Sequence, residues 1–128
     1  MSPYEDLIID HWRNPRNKGT LPDPDVDVTE ANVPCGDVLR LQLKVRDGVA
    51  EDVRFDGRGC AISMASASLL TEMIKGKKLE ELREMREEDL LDALGGVIKP
   101  RLKCALLPYR TLRKALQALG VRERSGSP

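Results

Sequence analysis

The chain has one histidine and three cysteines in 128 residues, no excess of charge of either sign, and no long apolar run. Each shortage removes a class of function. Lys+Arg and Asp+Glu number 21 apiece, so the formal net charge is zero, and no basic run stands out. That argues against nucleic acid or an anionic membrane as partner, since both are held by cationic patches. The N-terminus lacks an apolar signal core, and the longest apolar stretches fall far short of the roughly 20 residues a spanning helix needs. A cytoplasmic protein with no membrane partner is the expectation. In a reducing compartment three cysteines are not expected to form disulfides, and an odd count suits metal or sulfur chemistry better than structural pairing.

There is no internal repeat, no low-complexity segment and no clustering of glycine and proline that would mark a linker. With 41% hydrophobic and 33% charged residues, the chain is long enough to bury a core without staples. A single domain over 1–128 is expected, its folded part running to 120 and residues 121–128 forming a frayed tail.

Ser2-Pro3-Tyr4-Glu5 reads as a capping box with proline at the first helical position, followed by Tyr4, Leu7, Ile8, His11 and Trp12 on one helical face. His11, on that apolar face, is expected to be a packed, hydrogen-bonded residue rather than a ligand. Val26 to Val33 reads as a weak edge strand. Val38 to Arg46 alternates Leu39, Leu41, Leu43 and Val45 against Arg40, Gln42, Lys44 and Arg46, one face core and the other solvent. Asp47-Gly48 signals a tight hairpin returning through Val49 to Phe55. In a hairpin centred there, numbers summing to about 95 face each other, which sets position 35 opposite Cys60. A helix rich in small residues runs from Ala61 to Lys75, and Lys77 to Gly96 reads as a helical hairpin covering the sheet. Pro108 cannot donate to the carbonyl of Cys104, so the last helix is expected to begin after that cysteine.

The cysteines are placed alike, each beside a backbone breaker. Cys60 follows Gly57 and Gly59, whose backbone freedom would let the loop wrap a bulky object. It also falls where a helix begins, so unsatisfied N–H groups and the helix dipole favour its thiolate. Cys104 is set likewise at a helix N-terminus, with Arg101 and Lys103 beside it. Cys35 lies between Pro34 and Gly36 and is followed by Asp37. Three sulfurs and one oxygen suit a tetrahedral zinc ion, or a two-iron cluster with one harder, more labile ligand. The spacings, 25 and 44 residues, are not those of zinc fingers or ribbons. Three unrelated buried thiols are the plainer alternative on spacing alone.

The motifs Pro34-Cys35-Gly36-Asp37, Gly57-Arg58-Gly59-Cys60-Ala61-Ile62-Ser63 and Arg101-Leu102-Lys103-Cys104-Ala105, with the stretch Ile8-Ile9-Asp10-His11-Trp12-Arg13-Asn14-Pro15-Arg16-Asn17, resemble the iron-sulfur cluster assembly scaffold family of IscU, SufU and the NifU N-terminal type. The resemblance extends to about Gly120. It implies an α+β fold, a three-stranded antiparallel sheet with helices packed on one side. It also implies a carrier that takes sulfur from a cysteine desulfurase and iron from an iron donor, holds a transient [2Fe-2S] cluster and passes it to acceptor apoproteins. Cys35, Asp37, Cys60 and Cys104 carry over as ligands, with zinc as their occupant in the purified protein. As sulfur acceptor the IscU branch points to Cys104 and the SufU branch to Cys35, and the helix N-terminus with Arg101 and Lys103 beside it favours Cys104. Asp37 carries over as the ligand that keeps the cluster labile, and a monomer is expected.

Two features pull toward the SufU branch or away from IscU. Ala105 follows the third cysteine where the IscU branch has histidine and the SufU branch alanine. The segment read by the IscU chaperone is replaced by Val97-Ile98-Lys99-Pro100-Arg101. The 44-residue spacing nevertheless lacks the insertion expected of SufU. The competing reading is therefore a zinc-dependent sulfurtransferase that accepts persulfide sulfur and relays it. A purely structural zinc adaptor gives no reason for Asp37, since closed structural sites mostly use cysteine and histidine.

Overall fold

The computed structural model describes residues 3–33 and 36–121; Ser2, Cys35 and residues 122–128, and with them the capping-box serine, the first cysteine and most of the expected tail, lie outside the described residues. Strands β1 (Val26–Asn32), β2 (Asp37–Arg46) and β3 (Val49–Arg58) form an antiparallel sheet in the order β1-β2-β3. The α+β class expected from the sequence is the one observed.

Leu39, Leu41 and Leu43 of β2 point to one face and are buried, joined there by Val53 and Phe55 of β3. The opposite face is less open than the alternation predicts. Gln42 is buried because the loop before β1 folds over it, the Leu21 amide donating to Gln42 Oε1 at 2.8 Å.

Asp47 and Gly48 both take positive φ, 53° and 76°, which is the tight turn their sequence signals. The register beyond the turn differs from expectation. Val45 pairs with Ala50, but Lys44 pairs with Asp52, so Glu51 is an extra residue on β3. This bulge shifts every later pair by one and bends the strand. Val38 therefore faces Arg58, where the expected register would have set it opposite Gly57. β3 also runs three residues past Phe55. Gly57 makes that extension possible: its φ is 153°, and a Cβ there would lie 2.2 Å from the carbonyl oxygen of Val38.

Two helices cover the apolar face. α2 (Ala61–Ile74) lies against β3, and α5 (Leu102–Ala118) lies against β1, β2 and α2. The small residues Ser63, Ala65, Ser66, Ala67 and Ser68 are all buried along α2, so that helix is approached closely from both sides. α1 (Pro3–Arg13) packs on its outer side. Trp12, assigned to the packed face of α1 by spacing, is 50% exposed; its neighbour His11 is the residue turned to α2, bonded to Ser68.

The segment expected to cover the sheet joins its core by way of α5. α3 (Leu79–Glu84) and α4 (Glu87–Ala93) pack against α5. Leu82, Leu90 and Leu94 are buried in the same core cluster as Leu39, Leu41 and Leu43. Arg113 of α5 secures the join, donating to the carbonyls of Arg83 and Met85 at 3.0 and 2.9 Å.

The start of α5 also departs from the sequence reading. A 3₁₀ turn at Lys99–Arg101 leads into a helix that begins at Leu102 and contains both Cys104 and Pro108. Proline in a helix interior costs about 3 kcal/mol. Leu107, Leu112 and Leu116 on the same helix are buried to 2% exposure or less, and each contributes about 1.5–3 kcal/mol, so packing outweighs the missing bond. Among the described residues, no helix is long and apolar enough to cross a membrane.

Candidate metal centre

Asp37 opens β2 on the same side as Leu39, Leu41 and Leu43, so its carboxylate continues the core-facing stripe and is buried at 2% exposure. A bare carboxylate is costly to bury unless donors or a cation meet it. Oδ1 accepts the backbone N–H of Cys60 at 3.1 Å, whereas Oδ2 is buried with no hydrogen-bond partner among the described residues. The neighbourhood is shaped around this group. A Cβ on Gly59 would stand 2.6 Å from Asp37 Oδ1 and 2.4 Å from Ser63 Oγ. Gly59 thus makes room for the aspartate, a tighter requirement than the loose wrapping expected of the glycines.

Cys60 is the N-cap of α2, in extended conformation, with its sulfur accepting the Ser63 N–H at 3.4 Å. Cys104 sits in the first turn of α5 and is 3% exposed. The ligand atoms of Asp37, Cys60 and Cys104 all lie within 4.8 Å of one another. Donors around one tetrahedral zinc stand about 3.5–4 Å apart, given Zn–S near 2.3 Å, and those around a two-iron cluster span more. A buried carboxylate close to two thiols, with one oxygen unpartnered among the described residues, fits a bound cation.

The electrostatics favour the anionic form at Cys60. Burial raises its pKa, but the Ser63 amide and hydroxyl and the Cys104 thiol lower it further, against a raising effect of the Asp37 charge; the net direction is down. That agrees with the expectation from its helix-terminal place. A cleft of about 460 Å³ lined by Ile8, Cys60, Ile62, Val97, Ile98 and Arg101 opens onto this thiol.

Three of the four residues expected at the site, Asp37, Cys60 and Cys104, are brought together, each from a different element; Cys35 lies outside the described residues. His11 is elsewhere, buried between α1 and α2 with Nδ1 2.7 Å from Ser68 Oγ, which bears out the packed role. Asn32 is the neighbour the sequence reading missed. It ends β1 opposite Asp37 in the ladder, is 4% exposed, and donates from Nδ2 to Cys104 Sγ at 3.7 Å. The two-residue period of β1, with Val26 and Val28 inward, was the available signal.

Fold and site together define a small α+β protein with a cysteine/aspartate metal site at one end of its sheet. Comparison with known proteins agrees. The profile described as NifU-like N terminal domain matches residues 3–125. The chain is 40% identical over 113 residues to the iron-sulfur cluster assembly scaffold protein IscU 1 of Archaeoglobus fulgidus, covering 88% of this chain and 74% of that one. It is 42% identical over 131 residues to the zinc-dependent sulfurtransferase SufU of Bacillus subtilis, covering 88% of both. Among solved structures, a putative iron-sulfur cluster assembly scaffold protein for the SUF system from Fervidobacterium islandicum superposes with a TM-score of 0.73 at 28% identity, over 91% of this chain and 96% of that one. The chain belongs to the NifU-like N-terminal domain family, that of IscU and SufU.

Proposed function

We propose that this chain is an iron-sulfur cluster assembly scaffold that receives sulfur from a cysteine desulfurase and iron from a donor, holds a [2Fe-2S] cluster as cargo, and yields it to acceptor apoproteins in the cytoplasm. The observation that carries this reading is the buried Asp37 Oδ2, which has no hydrogen-bond partner among the described residues and belongs to a carboxylate beside two thiols. Cys35, Asp37, Cys60 and Cys104 are the proposed ligands. Thiolates suit iron and zinc, while the harder carboxylate is the weaker ligand for a sulfide-rich cluster and gives the cargo an exit. The same four groups hold zinc when no iron is supplied.

Cys104 is the proposed sulfur acceptor. Its thiolate attacks the outer sulfur of the desulfurase persulfide, becomes a persulfide itself, and the desulfurase cysteine leaves as thiolate. Because Cys104 is 3% exposed, this transfer needs the rim of the site to part when the desulfurase docks.

A second reading, zinc-dependent sulfur relay, has one specific support. Ala105 is fully buried and its carbonyl accepts the Ser66 hydroxyl at 2.7 Å, so the position next to Cys104 supplies no further ligand.

Anaerobic incubation with ferrous iron, cysteine and a desulfurase, followed by addition of an apo-ferredoxin, separates the readings. The scaffold develops a visible chromophore that moves to the ferredoxin. Sulfur transfer that proceeds only with zinc bound, and with no chromophore, would establish relay instead.

A further inference from the structure

We propose that Asn32 is the positioning residue for the Cys104 sulfur, holding it toward Asp37 and Cys60 through its side-chain amide and drawing charge from it once it is a ligand. The proposal rests on the reading of Cys104 as a ligand.

Asn32 and Asp37 are paired across β1 and β2, so their side chains share the face on which α5 lies. Toward the other end of that face the corresponding positions are apolar, Val26 opposite Leu43, both buried. An amide in the last layer is therefore unneeded for packing and costs free energy unless its donors are met. It meets Cys104 Sγ at 3.7 Å, an ordinary length for a hydrogen bond to sulfur.

The chemistry explains the residue type. An amide N–H is a neutral donor, so it can hold the sulfur in one rotamer without forming the lasting ion pair that lysine or arginine would make beside Asp37. Donors to ligating side chains orient them and strengthen metal binding, and donors to ligating sulfurs raise the potential of the bound centre. β1 thus contributes to the site without supplying a ligand.

The test uses zinc competition titration and cobalt(II) spectra on the full chain for wild type, Asn32→Leu and Cys104→Ser. Asn32→Leu is expected to bind zinc about 10–100-fold more weakly. Its thiolate-to-cobalt charge-transfer band is expected to move to longer wavelength, because a sulfur without its donor gives up charge more readily. Should Asn32→Leu fail to fold, Asn32→Ala removes the donor without adding bulk or a new ligand, and carries the same expectation. Unchanged affinity, or a weaker site with an unmoved band, overturns the proposal while Cys104→Ser still abolishes tight binding. If Cys104→Ser binds zinc like wild type, the ligand reading itself fails and the proposal falls with it.

Discussion

Asp37 accepts the amide of Cys60 through Oδ1 at 3.1 Å, so the residue opening β2 and the residue capping α2 are locked together before any metal arrives. The remaining oxygen is buried without a hydrogen-bond partner among the described residues, which leaves it free to meet the proposed cargo.

That division predicts what Asp37→Ala does. A reconstituted cluster should last longer and transfer more slowly, because the oxygen ligand that gives it an exit is gone. Chromophore decay and donation to an apo-ferredoxin, timed in parallel, check both halves. Faster decay in the variant would make Asp37 a holding ligand.

Gly59→Ala tests the room made for Asp37. The new Cβ would meet Asp37 Oδ1 and Ser63 Oγ at 2.6 and 2.4 Å. Overpacking of this kind costs about 1–3 kcal/mol, and here the displaced groups are the proposed ligand and the Ser63 hydroxyl that donates to the Cys60 carbonyl. Denaturant unfolding should show the loss of stability, and zinc titration a weakened site.

His11 predicts a pH dependence of stability apart from the metal centre. Burial of the ring lowers its pKa below 6.5, as does the Arg16 charge, against the raising effects of Glu72 and Asp10. The unfolded chain therefore takes up the proton first as the pH falls. The contribution of neutral His11 is whole above about pH 6.5 and is lost progressively on acidification toward its folded pKa. Unfolding free energies of wild type and His11→Gln, measured from pH 7.5 down to 5, should converge as the pH falls. Parallel curves would show that the ring does not titrate in this window.

Exposure and sulfur acceptance should part company at the two described cysteines. In the metal-free protein alone, a small alkylating agent should label Cys60 before Cys104, since Cys104 is 3% exposed and Cys60 lines an open cleft. After brief incubation with desulfurase and cysteine, peptide mass spectrometry should find the persulfide on Cys104. Persulfide on Cys35 that depends on zinc would favour relay over the scaffold.

Much of this protein is readable without coordinates because the signals are local. Alternation of Leu39, Leu41 and Leu43 makes β2, Asp47-Gly48 turns the chain, and glycine before Cys60 leads into α2. The hairpin also directs Asp37 and Cys60 to one end of the sheet, which is why the site was legible in outline. What the tertiary structure decided are matters of competition between elements. Glu51 is absorbed as a bulge and shifts the ladder by one residue. Leu82 and Leu90 are apolar in any arrangement, and only the packing of α3 and α4 on α5 decides how they reach the core. Pro108 argues locally for a later helix start, yet the buried leucines of α5 carry the helix back to Leu102 and bring Cys104 inside it. Asn32 and the second oxygen of Asp37 acquire their meaning only from what packs over them. A sequence states which faces are apolar and where the chain turns; which faces meet, and what a buried polar group finds there, depends on energies summed over residues far apart in the chain.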